Sequence, residues 1–392
     1  MKPAKNQEVV REGMEANEEP QIDPDLLENK KLLFTTINRN PNDEKSQKSD
    51  EYKKGGKNSE ETNDYDWLKI IGQGTFGVVY KAQYKPDGRV VAIKKVYQDP
   101  KYSNREFKIV VELDHPNCIK VHNYFFSKNE EKAEETYLNL VMDYIPDTLY
   151  KILRFYYKKT FPFPNALGKI YTYQMLRSLA YIHNLNICHR DIKPQNILVD
   201  INTHRLVICD FGSAKQLRPN ETSVAYICSR YYRAPELILG EENYGCEIDI
   251  WSIGCVVAEM FIGEPLFCGK NSKDQFVKIM NIFGTPSDQE IVAMCPNVNA
   301  NLPQVKGTGL KKKFKNPDPM LIDLLSKLLT YSPQKRLRPF EALMHPYFDD
   351  LRVQKLTINS RPVTDLFNFT PVEVGKSQNL LGKLVPSWYK RP

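Results

Sequence analysis

The run Gly72-Gln73-Gly74-Thr75-Phe76-Gly77 leads into Val78-Val79-Tyr80-Lys81-Ala82, a β-branched stretch and not a helix former. A glycine turn that cradles a dinucleotide has to open a helix, so this continuation argues against that class. Lys85-Pro86-Asp87-Gly88 then supplies an Asp-Gly turn before Val90-Val91-Ala92-Ile93, which predicts a β-hairpin. Its glycines either let backbone N–H groups approach a phosphate or merely serve the turn, and the motif alone leaves both open.

The strand-like pattern runs from 67 to 145, with Cys118 to Phe126 and Thr136 to Met142 as further β-rich runs and a short helix over Asn104 to Leu113. From about 148 the period changes. Leu167, Ile170, Tyr171, Met175, Leu179 and Ile182 form one stripe at helical spacing, and helices are predicted around 248–263, 272–283, 318–330 and 338–344. A small β-rich half followed by a larger helical half implies an α+β protein of two lobes, about 65–142 and 146–350.

Residues 1–64 hold 11 Lys/Arg against 15 Asp/Glu, with Phe34 and Tyr52 as their aromatics. Such a segment buries too little to offset its ordering entropy and is predicted to be a disordered extension. Leu32-Leu33-Phe34 is its one short apolar run, and 351–392 reads as a C-terminal extension of mixed polarity. With 41% hydrophobic residues, 19 Gly and 26 Pro, the whole chain is neither disordered nor collagen-like. A formal charge of +7 suits acidic or phosphorylated partners but is weak ground for nucleic acid, which is not predicted as a partner. The eight cysteines form no C-x-x-C pair, so reduced, buried thiols are expected. No apolar core of signal-peptide length opens the chain, and Ile248 to Gly263 carries Asp249 and Glu259. A cytoplasmic setting with no membrane partner is expected, with the nucleus also open to it.

The chemistry-bearing residues are ordered along the chain. Lys94 ends the strand Val91-Ala92-Ile93, and Glu106 on the following helix could hold it against a phosphate; alternatively the lysine simply reaches solvent. His189-Arg190-Asp191-Ile192-Lys193-Pro194-Gln195-Asn196 offers an acid, a cation and an amide in one loop. Fourteen residues after Asn196, Asp210-Phe211-Gly212 brings a second acid. Two oxygen donors on separate loops suit Mg²⁺, which takes few protein ligands beside substrate phosphates. Either acid could instead cap a turn. Together with Ala234-Pro235-Glu236 in this order, chance is a poor explanation.

In order and spacing, residues 66–348 resemble a eukaryotic protein kinase. The closest likeness is to the glycogen synthase kinase 3 family of the CMGC group, carried by Leu179 to Asn196, Cys209 to Leu217 and Tyr226 to Leu237. The resemblance implies a serine/threonine kinase that uses ATP and Mg²⁺. It assigns Lys94 and Glu106 to the α- and β-phosphates, Asp210 and Asn196 to the metal, Lys193 to the transferred phosphoryl group and Asp191 to the substrate hydroxyl. Backbone groups of Asp143 and Ile145, with Tyr144 between them, would bind the adenine edge, and Met142 would guard the pocket behind it. Ile71, Gly72, Gly74, Phe76, Gly77 and Val79 would cover the nucleotide; Ala92, Gln195, Leu198 and Cys209 would complete its pocket. Glu236 is expected to pair with Arg336. A cyclin-dependent or mitogen-activated kinase, or a catalytically silent scaffold, is the alternative. No Thr-x-Tyr occurs in the activation segment, and Lys94, Asp191 and Asp210 are all in place.

Where kinases with a phosphothreonine switch carry the acceptor, this chain has Val224, which leaves Tyr226 as the activating site, near Arg230 and Arg233. Val224 also leaves Arg190 without a phosphate partner. By resemblance Arg105 and Lys215 join Arg190 in a pocket for a phosphate on the substrate, four residues C-terminal to the target. Ser46, Ser49 and Ser59 lack an Arg three residues before them, so no N-terminal phosphoserine brake is expected. After Gly284-Thr285-Pro286 the family's aromatic scaffold loop is absent, although Gln275 to Phe283 offers an apolar stripe to a helical scaffold.

Overall fold

The computed structural model describes residues 64–74, 77–99, 104–129, 135–219, 221–298, 301–354, 356–358 and 361–390. Phe76, Ser46, Ser49, Ser59 and Leu32-Leu33-Phe34 lie outside the described residues. Five antiparallel strands form the N-terminal sheet: β1 (Tyr65–Gly74), β2 (Gly77–Tyr84), β3 (Val90–Gln98), β4 (Val121–Lys128) and β5 (Thr136–Asp143). Their order is β1-β2-β3-β5-β4. The Asp-Gly turn closes β2 on β3: Gly88 takes φ +73° and its N–H donates to Tyr84 O at 2.8 Å. At Gly77 φ is +127°, and a Cβ there would fall 2.1 Å from Lys95 O, so any side chain would collide with β3.

One side of this sheet buries Tyr65, Ala82, Val91, Ile93, Phe125 and Val141 as a small core of its own. The helix α1 (Arg105–Val110) is capped by Asn104, whose side chain accepts from Phe107 N, and buries Phe107, Ile109 and Val110. It stops three residues short of the sequence expectation. Glu112 N and Leu113 N bond to Ile109 O and Val110 O, three residues back, and the helix tightens into a turn there. The strand expected from Cys118 begins at Val121, while Cys118 forms a single parallel bridge with Ile208.

Helices dominate the rest: α2 (Leu149–Lys158), α3 (Asn165–Asn184), α4 (Glu247–Ile262), α5 (Ser272–Phe283) and α6 (Pro319–Leu328). The sequence shows α3 as a one-sided stripe, yet every residue from Leu167 to Ile182 is buried. Most of its polar side chains are covered because they find partners: Gln174 Oε1 accepts from Leu206 N at 2.8 Å and from Asn117 Nδ2 at 2.9 Å. Glu236 and Arg336 pair through two bonds of 2.6 and 2.7 Å. All eight cysteines are free thiols; Cys268 is exposed and Cys209 and Cys246 are half-buried.

Two features of the structure were not apparent from the sequence. The apolar stripe of α5 faces inward, with Phe276, Ile279, Met280 and Ile282 buried, which leaves Val277 as its exposed large hydrophobic. That face is part of the core. The C-terminal tail also belongs to the core: Leu366, Phe367, Phe369, Val374, Leu381 and Leu384 are buried with the helical half. Among the described residues no helix is long and apolar enough to cross a membrane.

Candidate active site

Two short sheets bring the two acid-bearing loops together. β6 (Asp147–Thr148), β8 (Ile197–Asp200) and β9 (Arg205–Ile208) form one, and β7 (Ile187–Cys188) pairs with β10 (Lys215–Gln216) in the other. The loop between β7 and β8 carries Asp191, Lys193 and Asn196, and the turn after β9 carries Asp210. His189 ties the two loops. Its Nδ1 accepts from Asp191 N at 3.2 Å, which leaves the ring proton on Nε2, 3.0 Å from Cys209 O. Its ring stands on edge against buried Phe211, 4.9 Å away. Arg190 and Asp210 both hold left-handed backbone, φ +65° and +62°, a cost of about 1–3 kcal/mol each that surrounding bonds must offset.

At Arg190, Asp249 of α4 contributes to that offset. Fully buried, it accepts from His189 N (2.8 Å), Arg190 N (2.9 Å) and His183 Nε2 (3.0 Å). Burial alone would raise its pKa, but His183, His189 and the Arg190 N–H bond hold it below the usual carboxylate range. In the sequence Asp249 stands out only as a charge within the apolar stretch Ile248 to Gly263. The available signal was an acid inside an otherwise apolar helix, which must find partners when buried.

Asp191 is held on both oxygens. Lys193 Nζ donates to Oδ2 at 2.9 Å, while Ser229 N and Oγ donate to Oδ1 at 3.1 and 2.8 Å. Burial works against ionisation, but Lys193 and Ser229 win and the carboxyl's pKa is lowered. Asp191 is therefore an anion at neutral pH, able to accept a hydrogen bond from a hydroxyl. Ser229 was an omission: the sequence shows it in Tyr226 to Leu237 with nothing to mark it as a partner of a residue 38 positions away.

Lys94 lies on β3 opposite Val79 of β2 and Leu140 of β5, 9% exposed. Its ammonium donates to Glu106 Oε1 at 2.6 Å and to Asp210 Oδ1 at 3.1 Å. Burial would discharge it; the two carboxylates more than compensate and raise its pKa. Asp210 in turn is lowered, against burial, chiefly by Lys94. Both Asn196 amide hydrogens serve Asp191, its O at 2.9 Å and Oδ2 at 3.2 Å. The oxygens that remain for a cation are those of the Asp210 carboxylate and the Asn196 amide. That donor set fits Mg²⁺, which completes its shell with phosphate oxygens and water. Among the described residues no group of three or more His, Cys, Asp or Glu could hold a metal alone.

Around this charge cluster, Gly72 faces Val79 and Ala92 faces Met142 across the sheet, while Ile71 and Gly74 sit on the exposed β1. Leu198 and Cys209 are half-buried, the latter bonded N–H to Asn196 O at 2.9 Å; Gln195 is exposed. The Asp143 side chain turns away to His122 Nε2 (2.5 Å) and Arg205 Nη2 (2.7 Å), and its backbone N–H donates to Lys120 O at 3.2 Å. Among the described residues no hydrogen bond engages Ile145 N–H. Lys81 Nζ sits 4.6 Å above the Tyr144 ring.

Arg190 Nε donates to Ser213 O at 2.7 Å and Nη1 to Tyr244 Oη at 3.1 Å. Partial desolvation and the nearby Arg190 cation both lower the pKa of Arg105, and Glu221 opposes them. Lys215 meets Glu221 at 2.7 Å. The Arg233 guanidinium lies 4.4 Å from the Tyr226 ring centre, whereas Arg230 Nη1 reaches Lys270 O at 2.7 Å and Gly269 O at 3.3 Å.

The family model for the protein kinase domain matches residues 65–348, and the chain belongs to the protein kinase family. Membership of this family means transfer of a phosphoryl group to protein substrates, with ATP as donor and usually Mg²⁺ beside it.

Proposed function

We propose that this protein is a serine/threonine kinase of the CMGC group, akin to glycogen synthase kinase 3, which prefers substrates already phosphorylated four residues C-terminal to the target. The catalytic part of this reading is carried by the clamp on Asp191. An ionised, oriented carboxylate can accept the substrate hydroxyl's hydrogen bond and aim its oxygen in line. Lys94, fixed by Glu106, is suited to the α- and β-phosphates, and Lys193 to the charge of the moving phosphoryl group. Asp210 and Asn196 would hold Mg²⁺, whose charge would offset that of the phosphates. Asp143 and Ile145 backbone groups suit the adenine edge. A cytoplasmic and nuclear setting accompanies this reading.

The substrate preference rests on the mutual repulsion of Arg105 and Arg190 beside Lys215. Cations are brought this close where an anion is to be bound. Among the described residues no carboxylate forms an ion pair with Arg105 or Arg190. Matched peptides with and without the priming phosphate test it, using wild type and Arg105→Ala. Wild type should favour the primed peptide at least tenfold, and Arg105→Ala should erase most of that preference while sparing the unprimed peptide. Equal wild-type rates on both would refute it.

A further inference from the structure

Lys215 Nζ is encircled by three consecutive residues of the activation segment. Glu221 Oε1 lies 2.7 Å away, Thr222 O accepts at 3.1 Å and Ser223 Oγ at 2.9 Å. The lysine side chain is 15% exposed and the glutamate 44% exposed, so the carboxylate approaches from the solvent side of a largely covered cation. Arg105 and Arg218 also attract Glu221, while Arg190 meets only neutral acceptors, Ser213 O and Tyr244 Oη. Tyr244 Oη in turn donates to Val224 O at 2.9 Å, which fixes the same stretch of segment from its other end. Cations from three positions, Lys215, Arg105 and Arg218, therefore share one tethered carboxylate.

We infer that Glu221 is a built-in stand-in for the priming phosphate, a residue that a phosphorylated substrate must displace from Lys215 and that partly serves when no phosphate is present. The inference rests on the primed-substrate reading above. A phosphate carries about −1.5 to −2 charge against the single charge of a carboxylate, and it offers three acceptor oxygens. It can therefore outcompete Glu221 although Glu221 is tethered. The exposed position of the carboxylate keeps the competition mild, within the range of surface ion pairs. Displacement needs no rearrangement of Arg190, whose present bonds go to neutral partners. Glu221 thus sets how strongly the enzyme discriminates: it weakens the primed complex and supports the unprimed one.

The test is Glu221→Gln, measured beside wild type with a primed phosphopeptide and its unphosphorylated twin. In the variant the KM for the primed peptide should fall about two- to fivefold, the factor an exposed ion pair is worth. The kcat/KM for the unprimed peptide should fall by a similar factor, because the cations then have no anion to share. A merely structural role would move both peptides the same way. Fluorescence anisotropy with the labelled phosphopeptide reads the same tightening without turnover, so a loss of activity cannot mask it. If wild type prefers the primed peptide and Glu221→Gln shifts both alike or neither, the stand-in role is overturned and the priming pocket survives. If wild type shows no preference, the pocket falls and this role with it.

Discussion

Tyr226 lies against the Arg233 guanidinium, which is itself fixed by Nε to Ile227 O and Nη2 to Cys228 O, both at 2.9 Å. A phosphate on the Tyr226 hydroxyl would bring a divalent charge beside an arginine whose pKa is lowered chiefly by burial, and would form charge-assisted bonds there. Arg230 spends donors on Lys270 and Gly269 carbonyls, so Arg233 is the nearer partner. Mass spectrometry of the purified active protein should find phosphotyrosine at Tyr226, and Tyr226→Phe should lose several-fold in kcat. A fully active preparation with unmodified Tyr226 would overturn the assignment. At this scale the sequence was legible where spacing carried the chemistry. Lys94 meets Glu106 as the strand-then-helix order suggests, and Glu236 meets Arg336, 100 residues away, as the family resemblance implies. Ser229 was not legible, and Asp249 was legible only as a charge inside an apolar helix. Each acts on the catalytic loop from a segment 38 to 60 residues away, and no local pattern encodes such a meeting.

The element whose role the sequence concealed is the tail. Glu373, in the short helix Pro371–Val374, is fully covered and bonds Arg177 of α3 through Nε (2.7 Å) and Nη2 (2.9 Å). Asn368 takes Arg177 Nη1 at 2.7 Å, and the Phe369 ring lies 4.7 Å from the guanidinium. His115 Nδ1 accepts from Asn117 N, so Nε2 carries the proton and sits 3.1 Å from Glu373 Oε2. Tail residues show little periodicity because they fill gaps over α3 instead of forming a face of their own. Glu373→Gln should lower stability by about 3–5 kcal/mol, since it leaves a buried guanidinium uncompensated. Burial opposes the Glu373 charge, but Arg177 and His115 hold its pKa below normal, while burial and Arg177 lower that of His115. Both groups take up protons more readily when unfolded. Their contribution is therefore complete above about pH 6.5 and fades as pH falls, His115 first and Glu373 below about pH 4.3. Thermal melting from pH 7.5 to 3 should show the Glu373 part of that decline, below about pH 4.3, in wild type and not in Glu373→Gln. Parallel curves would show that the clamp carries no charge.

Across the whole molecule, the two-lobed division was readable from the change of hydrophobic period near residue 148, and the family match spans both halves. What joins the halves is a chain of contacts: Glu106 to Lys94, Lys94 to Asp210, Asp210's neighbour Cys209 to His189, and His189 N–H to Asp249. It delivers an ionised Asp191 between Lys193 and Ser229, the group to which the proposed reading gives the catalytic role. The direct measurement is γ-phosphoryl transfer from labelled ATP to a primed peptide, with phosphoamino-acid analysis, for wild type and Asp191→Asn at matched melting temperature. Wild type should label serine or threonine, and Asp191→Asn should lower kcat by about 10²–10⁴-fold. Near-normal turnover by a folded Asp191→Asn would contradict the account.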